Sequence, residues 1–133
     1  MKLFSKSAIS IVLTLVLLIS CTLVASATES VFTKRPVDSN SYSYITSAKK
    51  ETTTTTATVR ITNIYKADGS SSWYSTVWVK PTSTGTGVSV TKGAYCDVTI
   101  PSQFRTAGSW VNLYAQGNIP WLDCQISGYW IVH

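Results

Sequence analysis

The sequence predicts an all-β protein: a single antiparallel β-sandwich of about seven strands, stapled by one disulfide and preceded by a signal peptide. Three observations predict it. The chain after residue 27 is rich in Thr, Ser, Val, Tyr and Trp and lacks helical periodicity. Turn signals recur about every ten residues. Several short runs alternate apolar and polar side chains, the pattern of strands with one face in a core and the other in water.

The first 27 residues are set apart by their own pattern. MKLFSKS supplies a short basic region from Lys2 to Lys6, an apolar run begins at Ala8, and small residues stand at Ala25 and Ala27. This layout is that of a secretory signal peptide cleaved after Ala27, so residues 1–27 are left out of the predicted fold. A second reading of the same stretch is a bacterial lipoprotein signal, in which Leu18-Ile19-Ser20-Cys21 presents Cys21 for acylation. Secretion, free or anchored through Cys21, is the expectation on either reading. No other apolar run approaches the roughly 20 residues that a spanning helix needs.

Residues 28–40, with Lys34, Arg35, Pro36 and Asp38, read as a flexible leader, and 41–133 as the sandwich domain. A first strand is expected near 42–46. The ETTTTT run at 51–56 reads as an extended lead-in, and also as an acceptor tract for O-linked sugars. Ala57, Val59 and Ile61 then alternate with Thr58, Arg60 and Thr62. Asp68-Gly69 is the strongest turn signal and predicts a hairpin into the next strand. There strict alternation places Trp73, Val77 and Val79 inward, and Tyr74, Trp78 and Lys80 outward, until Pro81 ends the run.

After the loop STGTG come Val88 and Val90, a turn at Gly93, and an inward set of Cys96, Val98 and Ile100 stopped by Pro101. The segment RTAGS turns the chain again. Val111, Leu113 and Ala115 then alternate with Trp110, Asn112, Tyr114 and Gln116. In the last strand Cys124, Ile126, Trp130 and Val132 oppose Asp123, Gln125, Ser127 and Tyr129.

With Cys21 removed, Cys96 and Cys124 have one possible pairing in an oxidising compartment. Both fall on apolar faces, which predicts a core disulfide. Closing a loop of about 29 residues is worth about 3 to 4 kcal/mol in the chain-entropy model. The two lie too close in sequence for an immunoglobulin framework.

Charge and chemistry narrow the function. Removal of Lys2 and Lys6 leaves nine basic residues against six acidic ones, scattered except at Lys34-Arg35 and Lys49-Lys50. So mild an excess argues against nucleic acid and suits an anionic cell envelope. Nucleophilic catalysis lacks an internal base, because the single histidine is His133 at the C-terminus. One histidine and two paired cysteines cannot close a zinc site, and no metal or cofactor is predicted. Asp97 and Asp123 read as solvated strand carboxylates, not as a glycosidase pair. The chain is expected not to be an enzyme.

The aromatics remain, since fourteen Trp, Tyr and Phe residues follow position 27, more than one core needs. Tyr74, Trp78 and Lys80 form one outward stripe, and Trp110, Asn112, Tyr114 and Gln116 another. Rings interleaved with amides and hydroxyls suit a glycan or other envelope component, and they equally suit cross-strand pairs that stabilise an outer face. These seven residues are the candidate binding set.

At ATVRITNIYKADGSSSWYSTVWVK, VTKGAYCDVTIP, SWVNLYAQGN and SGYWIVH the chain resembles small secreted β-sandwich proteins of Gram-positive bacteria. It is most similar to an uncharacterised family whose members end in a comparable Gly-aromatic-Trp stretch, and more distantly to the lactococcin-like bacteriocins. The resemblance spans about residues 50–133, and the cysteine pair departs from it. It implies a secreted, non-enzymatic protein directed at another cell's envelope, bacteriocin-like in action, and assigns no residue a role. The alternative is a carbohydrate-binding module or an adhesin-type surface protein.

Overall fold

β-branched residues at alternate positions favour extended backbone and leave each strand with one apolar face to bury. The computed structural model describes residues 27–133, and the signal-peptide and Cys21 readings lie outside them. In chain order the strands are β1 (Thr28–Val37), β2 (Ser43–Lys49), β3 (Thr56–Lys66), β4 (Thr76–Pro81), β5 (Val88–Thr91), β6 (Tyr95–Thr99), β7 (Trp110–Gly117) and β8 (Cys124–Val132). They form two four-stranded antiparallel sheets, β1-β8-β3-β6 and β2-β7-β4-β5. Among the described residues the only helix is a 3-10 turn at Ser102–Phe104.

Between the sheets lies a core built largely from Val and Ile, with Trp130 its largest side chain and fully enclosed. The alternation read from the sequence holds in β7, where Val111, Leu113 and Ala115 are buried, and in β8, where Cys124, Ile126, Trp130 and Val132 are buried. It holds in the first half of β3 as well. A bulge between Ile61 and Asn63 then moves the inward positions to the other parity, so that Ile64 is buried.

Four expectations are corrected. Residues 28–37 are not a flexible leader: they form β1, paired along β8 from Thr28↔Val132 to Val37↔Cys124. A register break between Phe32 and Arg35, with Lys34 at φ 46°, interrupts the alternation there and hides the strand. The Asp68-Gly69 turn forms, with Gly69 at φ 82° and its N–H donating to the Lys66 carbonyl. It closes only an isolated antiparallel bridge, Tyr65↔Ser71, and makes no hairpin of β3 with β4, which belong to different sheets.

Trp73 precedes β4 in irregular chain and is 74% exposed, while its neighbour Tyr74 is turned inward and buried. Alternation cannot be carried backwards through a segment that is not a strand. Finally, Cys96 and Cys124 are free thiols. Cys96 pairs across Val59 and Cys124 across Lys66, seven positions further along the same strand and on its opposite side. Their separation is therefore roughly 20 Å, against the 4.4–6.8 Å between Cα atoms that a disulfide spans.

One edge of the sandwich is closed by side chains. Ser30 and Thr46 hydroxyls meet at 2.6 Å, and the Arg35 guanidinium donates through Nε to the Ile45 carbonyl at 3.0 Å, linking β1 to β2 across the sheets.

Candidate functional site

The outer face of the second sheet is ordered by β7. Because Val111, Leu113 and Ala115 must point into the core, Trp110, Asn112, Tyr114 and Gln116 point out. Registers on either side extend this stripe into a surface. On β4, Trp78 lies opposite Gln116 and Lys80 opposite Tyr114. On β2, Tyr44 lies opposite Tyr114, Ser47 opposite Asn112 and Lys49 opposite Trp110. Six of the seven candidate residues thus share one sheet face, and the stripe from Trp110 to Gln116 runs for roughly 20 Å at the strand rise.

Tyr74 is the exception. Its ring is inward, with Trp73 packed edge-on at a centroid distance of 5.0 Å, so it belongs to the core and not to this face.

Reading along single strands missed three contributors. Tyr42, just before β2, reaches across the face: the Lys80 ammonium lies 4.3 Å from its ring centroid. Gly87 makes room for it, since a Cβ there would come within 2.1 Å of the Tyr42 hydroxyl. Burial pushes the Tyr42 phenol above its ordinary value. Tyr44 is half exposed and meets Tyr114 edge-on at 5.9 Å. Asn118 accepts the Trp78 indole N–H at 2.7 Å and donates through its amide to the Thr76 hydroxyl at 2.7 Å. The alternating Ser-Tyr-Ser-Tyr at 41–44 carried a signal for the two tyrosines. Nothing local marked Asn118.

These residues enclose a shallow cleft of about 310 Å³ lined by Ser39, Tyr42, Trp78, Gln116, Asn118 and Pro120. Gln116 donates through Nε2 to the Ser39 carbonyl at 3.2 Å, which holds the 38–42 segment against the sheet. The buried Ser39 hydroxyl has no hydrogen-bond partner among the described residues. The cleft is therefore walled by two aromatic rings, one of them fixed by its indole N–H, with amides between them. Trp110, 60% exposed, stands at the far end of the stripe.

Carboxylate chemistry has no such convergence. Asp97 accepts from the Thr58 hydroxyl at 2.7 Å and Asp123 from the Ser39 backbone N–H at 2.9 Å, at sites far apart along the first sheet. That spacing exceeds both glycosidase geometries. A second polar group lies on the outer face of the first sheet, where Tyr129 donates to Tyr95 at 2.7 Å and Arg60 donates to both hydroxyls at 3.3 Å. Hydrogen bonding to Arg60 lowers the Tyr129 phenol from its ordinary value.

No protein-family model, curated protein or solved structure matches the chain.

Proposed function

We propose that this chain is a secreted, non-catalytic binding protein that holds a glycan of a bacterial cell envelope against the outer face of its second sheet. One observation carries the reading: Trp78, locked by Asn118, and Tyr42 wall a polar-floored cleft that opens onto the aromatic stripe of Tyr114 and Trp110. Sugar rings present apolar C–H faces and equatorial hydroxyls, so they are recognised by flat rings beside amide and hydroxyl groups. A fixed ring loses little freedom on binding, which favours affinity. The basic excess suits the anionic polymers of an envelope, at modest strength.

The test is binding of the purified protein, starting at residue 28, to isolated bacterial cell-wall polysaccharide, followed by calorimetry with its soluble fragments. Saturable binding is expected, and Trp78→Ala should weaken it by about tenfold or more, or about 1.4 kcal/mol, while the domain stays folded. Absence of binding to any envelope polysaccharide, or undiminished binding by folded Trp78→Ala, overturns the reading. Growth of related strains in the presence of the protein reports whether binding is antimicrobial, as the bacteriocin-like resemblance implies.

A further inference from the structure

A second surface lies at one end of the sandwich, where the loop after β3 and the loop before β8 come together. Trp121 is 83% exposed, Trp73 74% and Leu122 42%. Between the two loops is a cleft of about 420 Å³ lined by Lys66, Asp68, Tyr74, Trp121, Leu122 and Asp123. Backbone hydrogen bonds close both turns. The Leu122 N–H donates to the Ile119 carbonyl, Lys66 N–H to Ser70, and Ser70 N–H to the Asp68 carboxylate.

Trp121 is the informative residue. With Pro120 second and Trp121 third in a hydrogen-bonded turn from Ile119 to Leu122, and Trp121 at φ 68°, the segment has the form of a type II turn. That third position favours glycine or asparagine, because a side chain at positive φ is strained. A bulky ring, almost wholly in water and in an unfavourable backbone conformation, contributes little to the fold. Such strain is concentrated at functional positions.

Two tryptophans and a leucine offer roughly 400 Å² of apolar surface, about half of what each partner buries in a standard protein interface. Tryptophan on an exposed loop is instead suited to the water–lipid boundary, where an amphipathic ring has one apolar and one wet environment. The cleft lining carries charges of both signs, Lys66 together with Asp68 and Asp123. Hydrogen bonds from Ser70 keep the Asp68 carboxyl below its ordinary value, so it is anionic at neutral pH. A surface of both signs complements a phosphate next to an ammonium better than it complements a purely anionic lipid.

We infer that this end of the sandwich docks on a phospholipid bilayer, with Trp73, Trp121 and Leu122 in the interfacial zone and the cleft between them receiving a zwitterionic headgroup. In this docking Lys66 pairs with the phosphate, and the aromatic rings with Asp68 receive the ammonium. No helix among the described residues is long and apolar enough to cross a membrane, and the contact is peripheral.

The experiment is co-sedimentation with phosphatidylcholine vesicles, run beside phosphatidylglycerol vesicles at low and high salt, with tryptophan quenching by brominated phosphatidylcholine. Binding to phosphatidylcholine that survives high salt, with quenching, is expected. Trp121→Gly removes the ring and the backbone strain together, so it should melt no lower than the wild type while its vesicle partitioning falls at least tenfold. Trp73→Ala should lower partitioning similarly. Absence of sedimentation with phosphatidylcholine, binding confined to phosphatidylglycerol and lost at high salt, or unchanged partitioning by Trp121→Gly each overturns the inference.

Discussion

Lys50 brings an ammonium group almost wholly out of solvent, where it donates to the Thr54 carbonyl, the Thr54 hydroxyl and the His133 backbone oxygen. Burial lowers its pKa from the ordinary 10.5, so above the folded value the native protein has shed a proton that the unfolded chain retains. The burial penalty is present in full below the folded value and is relieved as pH rises toward 10.5. Urea unfolding of the wild type and of Lys50→Met at pH 7 and pH 10 should therefore show the wild type gaining on the variant at the higher pH. An unchanged difference would mean that the amine titrates normally. Trp73 and Tyr74 make a second contrast between neighbours. Tyr74→Ala opens the core and should cost about 3 kcal/mol, whereas Trp73→Ala removes an exposed ring and should change stability by about 0.5 kcal/mol or less. Comparable losses in denaturant melts would contradict these placements. Trp78, Trp110 and Trp130 were legible because each lies within a regular strand, where position settles the face. Trp73 was not, because the chain becomes irregular three residues before β4 begins.

β8 passes between two bulged partners, and Gly128 is where it can do so. Gly128 pairs with Phe32 on one side and Ile61 on the other, both at register breaks. A Cβ there would come 2.1 Å from the Arg60 carbonyl oxygen and 3.0 Å from the Phe32 ring, so backbone would have to move. Gly128→Ala should lower stability by about 1 to 3 kcal/mol, read as a lower urea midpoint, and a wild-type midpoint would show that the strands shift freely. The same bulges explain what a two-residue repeat can and cannot reveal. In β7 and β8 the alternation is unbroken and was read correctly along the whole strand. In β1 the break at Phe32–Arg35 and the left-handed Lys34 left only Phe32 and Val37 as buried marks in a largely polar run. The cysteines show a further limit, since each was placed on its correct apolar side but not in its sheet or at its height. Both belong to the first sheet, so reductant should leave the melting temperature unchanged. Burial raises the Cys124 thiol to about 11, and in the native protein Cys96 should react with a maleimide well before it. Labelling of neither thiol before reduction would restore the disulfide.

The strand order ties the two ends of the described chain together. β8 lies between β1 and β3, so the last strand completes a sheet that the first strand borders, and among the pairings of both sheets only β4–β5 joins strands consecutive in the chain. Alternation indicates which side of a strand is apolar but not which strands pair, and a local signal as strong as Asp68-Gly69 led toward a hairpin that the two-sheet order excludes. The outer-face site was legible to the same degree: each stripe could be read apart from Tyr74, which lies in the irregular chain before β4, but their meeting on one face depends on β4 joining β7 and on Tyr42 arching over from before β2. The non-local order also makes β1 indispensable. It contributes Phe32 and Val37 to the core, pairs along β8, and carries Ser30 and Arg35 to the β2 edge. Losing one large buried side chain costs about 3 kcal/mol or more, and domain stabilities are about 5 to 15 kcal/mol, so removing both side chains and the β1–β8 ladder should exceed what the fold can lose. A chain beginning at Asp38 should therefore be unfolded or aggregated, with β8 left as an open edge. A chain beginning at Thr28 should melt cooperatively. Were the Asp38 chain to melt cooperatively at the same temperature, residues 28–37 would be the dispensable leader that their polar composition suggests, and the β1–β8 pairing would contribute nothing to stability.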